Sequence, residues 1–466
     1  MPNALAYLAL FSWPVAMLIL LIRLPLDKAL IWSLLGAYLL LPPEPASIEF
    51  PLVRSLNKET FTVIMFSVLV LWRHGAAAFS LPRNWLTRAL MAVFVISPLF
   101  TVLNNGEPLV FVEGLVVPGL KWNDALGLCI KKGLVLLPFV LAYNALNSRE
   151  SLRSLLKALV VACLFYSVMM LIEIRLSPQL NLWIYGYQQH LFSQTVRASG
   201  FRPMVFLDHG LWLAFFAMTA CLSSLALWRA TPSPGRAMYM VAFLYLFALL
   251  VLSKSLGALL FAIMMIPLIV MIGRNAQLTI TMIITVFVLS YPVLKTTGIF
   301  PGEALVAQAA KISPERAHSL KFRFDNEDDL LERAGEKPIF GWGSWGRNQI
   351  RDPESGELTS VTDGRWIITF GVYGWVGFIA EFALLTLPLL RLRRAVRREP
   401  AEVTSATIGA LSLILAFNVL DLLPNATLTP LTWVFAGVLM GYGDRALIEF
   451  SPVERGRKEP IWKPIL

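Results

Sequence analysis

The sequence predicts an all-α polytopic membrane protein, a bundle of about 12 to 13 transmembrane helices with one large, partly helical loop on the outer side. Three observations carry this expectation. Of 466 residues, 57% are hydrophobic and 15% charged, whereas a soluble chain needs roughly a quarter of its residues charged to keep its surface wet. The mean hydropathy is +0.66. Apolar runs approaching the ~20 residues that cross ~30 Å of hydrocarbon recur along the chain with polar punctuation between them. The same numbers exclude disorder, a soluble nucleic-acid-binding domain and an ordinary cytosolic enzyme.

In order, the runs place spans at 4–22, 29–42, 59–72, 86–103, 125–146, 155–174, 205–228, 238–253, 256–272, 277–294, 366–390, 406–423 and 428–443. The first lacks a basic leader region and a small-residue cleavage site, so it is expected to be retained. The stretch 238–272 is too long for one crossing and breaks at Ser253-Lys254-Ser255, so two short spans meeting at a tight turn are expected. Thirteen spans put the two ends on opposite sides; a re-entrant first or second run gives twelve, with both ends inside.

Basic residues orient the bundle. Arg149, Arg153 and Lys157 fill one short connection, Arg229 and Arg236 another and Arg274 a third. Arg391, Arg393, Arg394, Arg397 and Arg398 fill a fourth, and Arg455, Arg457 and Lys458 lie in the tail. Alternating spans put all of them on one side, which the excess of Lys and Arg marks as cytoplasmic. The formal net charge of +10 is thereby a topological signal, and no nucleic acid partner is expected. Cys129, Cys163 and Cys221 lie in apolar runs at no metal-ligand spacing and form no disulfide framework. No lipidation motif appears.

Four regions follow: 1–294 with ten spans, a large loop at 295–365, C-terminal spans at 366–444 and a basic cytoplasmic tail at 445–466. The loop holds 10 basic and 12 acidic residues and is nearly neutral, while the rest carries about +12. Its amphipathic stretch 314–334 is expected to form short helices over the bundle.

Polar chemistry concentrates where outward loops meet the membrane. Lys254, the one cation between two otherwise apolar spans, either reaches lipid head groups or holds a phosphate. Arg197-Ala198-Ser199-Gly200-Phe201-Arg202-Pro203 is a shaped turn whose two guanidiniums suit phosphate oxygens. It precedes a run containing Asp208 and His209; His209 reads as an interhelical hydrogen-bonding group before it reads as a base. In the large loop, Asp329 and Arg333 are expected to pair along a helix, leaving Lys321 and Arg323 to face a charged substrate. Pro338-Ile339-Phe340-Gly341-Trp342-Gly343-Ser344-Trp345-Gly346 offers close backbone approach, and indole faces that either stack on sugar rings or form an interfacial belt. Asp363-Gly364-Arg365-Trp366 leads into a run with Gly371, Gly374 and Gly377: the acid is a general base or a capping pair with Arg365, and the glycines admit a neighbouring helix.

The order of these motifs resembles the O-antigen ligase and exopolysaccharide polymerase superfamily of bacterial membrane glycosyltransferases, over about 197–382. Four pieces carry it: Arg197-x-x-Gly200-Phe201 with Pro203; Ser253-Lys254-Ser255 where the family has a Ser-Arg turn; Arg323 ahead of Pro338-x-Phe340-Gly341-x-Gly343; and Asp363, ten residues, then Gly374-x-x-Gly377. The ligases have histidine at the position of Asp363, and this departure favours a polymerase.

The resemblance implies an undecaprenyl-pyrophosphate-linked glycan donor, a glycan acceptor, and a chain-length regulator or export machinery as a further partner class. The enzyme would sit in the bacterial inner membrane with its site facing the periplasm. Asp363 is then the expected base, with Lys254, Arg323 and Arg197 as cations for the departing pyrophosphate and Arg202 and Arg365 behind them. Lys321, Trp342, Trp345 and His209 are further expected substrate contacts. No metal and no cofactor are expected, because Arg and Lys can hold a pyrophosphate and the acidic run 325–329 reads as helix surface. A ligase, a carrier or flippase for lipid-linked glycans, and a membrane scaffold are the alternatives.

Overall fold

The computed structural model describes residues 1–50, 55–197, 200–398 and 406–450. Sixteen α-helices of these residues make an all-α polytopic membrane protein. The first six are α1 (Ala4–Arg23), α2 (Leu26–Leu40), α3 (Lys58–His74), α4 (Trp85–Leu103), α5 (Trp122–Ala145) and α6 (Arg149–Leu176). After short α7 (Leu180–Tyr185) come α8 (Gly210–Ala230), α9 (Arg236–Leu252), α10 (Leu256–Val270) and α11 (Arg274–Thr296). The large loop contributes α12 (Gly302–Ile312) and α13 (Pro314–Gly335), and the chain ends with α14 (Arg365–Val396), α15 (Ala406–Asp421) and α16 (Pro430–Glu449). Two minimal antiparallel hairpins complete it: β1 (Leu109–Val110) with β2 (Val116–Val117), and β3 (Val196–Arg197) with β4 (Gly200–Phe201).

Among the described residues seven helices are individually long and apolar enough to cross a membrane, and α9, α10 and α15 are shorter apolar helices. Burial ranks them: 89% of the apolar window of α8 is buried against 22% for α1, so α8 is the axis and α1 a lipid-facing flank. The turn at Ser253-Lys254-Ser255 separates α9 from α10 as expected, with Lys254 at φ 53°.

Cross-links gather the connections at two ends. At one end, the mouth, Asn3 Nδ2 donates to Ile184 O, Lys58 Nζ to Phe206 O, and Lys337 Nζ to Asn104 O. At the other, the base, Tyr143 and Arg391 both bind Asp444, Arg153 donates to Thr231 Oγ1, and Arg229 donates to Ile272 O. The arginines of the short connections thus share the base, while 295–365 covers the mouth. The tail beyond 450, with Arg455, Arg457 and Lys458, lies outside the described residues, as do Ala198 and Ser199.

Two helix starts correct the sequence reading. The run at 205–228 becomes helical only at Gly210, because Glu173 captures the Met204 and Val205 N–H groups at 2.8 Å each and holds 204–209 as a turn. His209 therefore caps α8 instead of lying inside it.

The second correction is α14. A straight helix would separate Arg365 from Glu381 by about 24 Å, yet Arg365 Nη2 donates to Glu381 Oε2 at 2.9 Å. The helix breaks at Gly374, φ 64° and ψ −163°. Its first part stays at the mouth, where the Arg365 N–H meets Asn425 O, and only the part after Gly374 crosses to the base.

The break frees backbone groups that lipid cannot satisfy, and the segment 338–343 satisfies them. Trp375 and Val376 donate to Pro338 O and Ile339 O at 2.8 and 3.2 Å; Trp342 and Gly343 donate to Gly371 O and Val372 O at 2.8 and 3.0 Å. Gly374 and Gly341 thus admit the backbone of a tight turn, not the neighbouring helix expected from sequence. A Cβ on Gly374 would lie 2.4 Å from the Ile339 carbonyl. Gly374→Ala is expected to cost about 1–3 kcal/mol or more, from the positive φ and the collision together. An unchanged melting temperature in detergent would show that the segment is not seated in the break.

Candidate active site at the mouth of the bundle

Of the charged side chains at the mouth, two groups hold the residues that the sequence singled out. The first is built on the α9–α10 turn and the β3–β4 hairpin. Lys254 Nζ donates to Arg197 O at 3.2 Å and Arg202 Nη2 donates to Lys254 O at 3.3 Å. A Cβ on Gly200 would sit 2.2 Å from Lys254 Nζ and one on Gly210 2.4 Å from Arg202 Cδ, so a side chain at either position would push these cations aside. Arg202 is 8% exposed, and its Nε has no hydrogen-bond partner among the described residues. That combination suits an anion.

His209 joins this group. Its Nδ1 accepts from the Leu211 N–H at 3.1 Å, which leaves the proton of the neutral ring on Nε2. Burial first, then His190 and the arginines Arg202 and Arg197, pushes its pKa down to about 4. His209 is therefore a neutral cap and donor at ordinary pH. The His190 ring stands edge-on to it with centroids 4.8 Å apart.

The second group is built on α13 and the start of α14. Arg323 Nε lies 3.6 Å from Asp363 Oδ2, and Arg323 Nη1 donates to Pro424 O at 3.2 Å. Both side chains are about two-fifths exposed, at 39% and 42%. One turn along α13, Glu327 accepts from Trp366 Nε1 at 2.7 Å and from Tyr291 OH at 3.1 Å, which pins α13 over the bundle. Burial pushes the Glu327 carboxyl up, against these hydrogen bonds and Lys295. Beneath, Asp421 accepts from Asn425 Nδ2 at 2.8 Å and from Thr427, which orders the 422–429 connection under Arg323.

The elements that carry the two groups meet inside the bundle. Helix α10, which starts beside Lys254, meets α15, which ends at Asp421, through Phe261 and Phe417 with centroids 5.4 Å apart. Charged residues from distant parts of the chain thus flank one mouth.

Several expected contacts are placed elsewhere. Lys321 spends its charge on Asp325 at 2.9 Å along α13. Arg333 pairs with Glu336 at 2.7 Å instead of Asp329. It also lies 3.4 Å over the Trp342 ring, whose indole N–H donates to Arg333 O at 2.7 Å. Trp342 is 7% exposed, so no sugar can reach its face; Trp345, at φ 68° and 46% exposed, keeps an accessible ring. Arg365 turns away from Asp363 and binds Glu381, which also takes Lys132 at 3.0 Å. The acidic run is not all surface, because Glu327 faces inward.

Glu381, Glu327, Asp421 and Asn425 escaped the sequence reading. Glu381 carried a usable signal, a lone carboxylate inside an apolar run; Asn425 carried none. Among the described residues no group of three or more His, Cys, Asp and Glu is placed to hold a metal ion. No protein-family model matches the chain, and no curated protein matches it.

Proposed function

We propose that this protein is a glycosyltransferase of the bacterial inner membrane that joins undecaprenyl-pyrophosphate-linked repeat units into an exopolysaccharide, capsule or O-antigen chain. The observation that supports it most is the accessible Asp363 carboxylate beside Arg323, at the same mouth as Lys254 and the buried, incompletely bonded Arg202. The gathering of arginines at the base supports a cytoplasmic base and a periplasmic mouth.

In this reading Asp363 takes the proton of an acceptor hydroxyl as its oxygen bonds to the anomeric carbon of the donor. The anomeric carbon–oxygen bond to phosphate breaks, and its electron pair leaves on the pyrophosphate. Arg323, Lys254, Arg197 and Arg202 stabilise that charge. The neutral His209 can donate through Nε2–H. A chain-length regulator or export machinery belongs to the same reading as a partner class.

A carrier for lipid-linked glycans has one observation in its favour, the charged trio Lys132, Glu381 and Arg365 inside the bundle. Those charges close on one another, and Lys132 lies over the Phe94 and Tyr373 rings at 4.1 and 4.2 Å, which makes the trio a structural clamp. The ligase alternative differs only in the acceptor.

Purified protein supplied with lipid-linked repeat units is expected to polymerise them undiminished in excess chelator, since guanidinium and ammonium groups can hold the pyrophosphate. Loss on chelation with rescue by magnesium or manganese would replace these cations with a metal. Failure to lengthen the units under any condition, with transfer of intact units across a vesicle, would favour the carrier.

A further inference from the structure

A narrow cleft runs into the bundle among α2, α8, α15 and α16. Trp212 and Tyr38 supply aromatic walls, and Asn418, Thr427, Thr429 and Thr432 supply amide and hydroxyl groups. No ionisable acid or base other than the tyrosine phenol lines it. It is tied to both groups: the Trp212 N–H donates to His209 O at 3.1 Å, and the Thr427 hydroxyl donates to Asp421.

Two polar groups of the cleft are left for a guest. Asn418 Oδ1 is buried with no hydrogen-bond partner among the described residues. Thr429 stands at the cap position of α16 without making the side-chain capping bond. A buried amide oxygen without a donor is destabilising, so a donor brought by a ligand would be favoured there. The cavity is about 20 Å³, enough for one water-sized group and too small for a whole ring.

Resting on the glycosyltransferase reading, we propose that this cleft is a sugar subsite: it takes one hydroxyl or hydroxymethyl group of a neutral pyranose whose ring lies at the mouth between Asp363 and Lys254. Uncharged donors and acceptors in the cleft fit a sugar hydroxyl and fit neither a phosphate nor a carboxylate. The hydroxyl donates to Asn418 Oδ1, and Trp212 packs against a ring face. The subsite would fix which edge of a sugar faces the base and so contribute to linkage choice.

The test uses full-length protein in lipid nanodiscs, with the methyl glycosides of a hexose, a 6-deoxyhexose and an N-acetylhexosamine as probes at millimolar concentration. Saturation-transfer NMR is expected to show contact with at least one glycoside. Asn418→Leu, of similar volume but unable to accept, is expected to weaken that contact by about tenfold, the loss of one well-placed hydrogen bond. Thr432→Val removes a hydroxyl from the same cleft without changing side-chain shape, and a weakening there supports the subsite even where Asn418→Leu fails to fold. No transfer to any glycoside, or equal transfer in both folded variants, would overturn the proposal and leave the cleft to a bound water. Polymer assembly is scored separately. Polymerising protein with unaltered glycoside contact in the variants overturns the subsite alone; variant-sensitive contact in protein that never polymerises overturns the enzyme reading alone.

Discussion

Asp363→Asn is expected to abolish polymer while leaving the protein folded and lipid-linked single units accumulating. The amide nearly reproduces the carboxylate's shape but cannot take a proton, and loss of a general base lowers rate by about 10²–10⁴-fold. Stability should barely move, because Asp363 is 42% exposed and its contact with Arg323 is 3.6 Å long, a pair of the kind that contributes about 0–1 kcal/mol. A large loss of polymer beside an unchanged melting temperature is therefore the signature of chemistry. Normal polymer length in the variant would retire Asp363 as the base and leave it an ordinary partner of Arg323. Arg323→Ala completes the comparison: it removes the cation beside Asp363, so it should also abolish polymer without unfolding the protein.

The bundle was legible because hydropathy responds to the one constraint a membrane imposes, and the turn at Lys254 was legible because three polar residues interrupt two apolar runs. Helix starts were less so. Nothing local to 205–209 tells that Glu173, some thirty positions earlier, will take the Met204 and Val205 N–H groups and delay α8. Gly374 shows the limit well. Its spacing from Gly377 reads as a surface for a neighbouring helix, but the glycine that matters holds a positive φ and receives the backbone of 338–343. The motif at 338–343 and the glycine at 374 are thus two halves of one device, visible in sequence only as separate features.

The same reasoning explains which site residues were misread. Lys321 and Trp342 have the right chemistry for a substrate; the Lys321–Asp325 pair was readable from its i, i+4 spacing, whereas nothing local shows Arg333 lying over Trp342. Arg323 and Asp363 were singled out by the motifs they precede; Arg323 lies in the middle of α13 and Asp363 just before α14. Asn425 and Pro424, which hold Arg323, lie in a connection whose residues look like an ordinary loop.

The largest effect on stability is expected from Glu381→Gln. Glu381 is fully buried and is the shared partner of two cations: Arg365 by two hydrogen bonds and Lys132 at 3.0 Å. Thr369 Oγ1 donates to it as well at 3.1 Å. Glutamine preserves the shape and removes the charge, leaving two cations facing each other in a water-poor interior. Breaking a buried pair by removing one partner costs about 3–5 kcal/mol, and here two partners are stranded at once. Lys132→Met should cost much less, because the remaining Arg365–Glu381 pair is neutral overall and methionine fills the space between Phe94 and Tyr373. The clamp also joins the two parts of α14 across Gly374, and Asp363 sits two residues before Arg365. Glu381→Gln should therefore lower the melting temperature steeply and reduce polymer even where folded protein is recovered, whereas Lys132→Met should largely retain both. A Glu381→Gln protein with wild-type thermal stability would mean that the trio reaches water, and would return the carrier reading to strength.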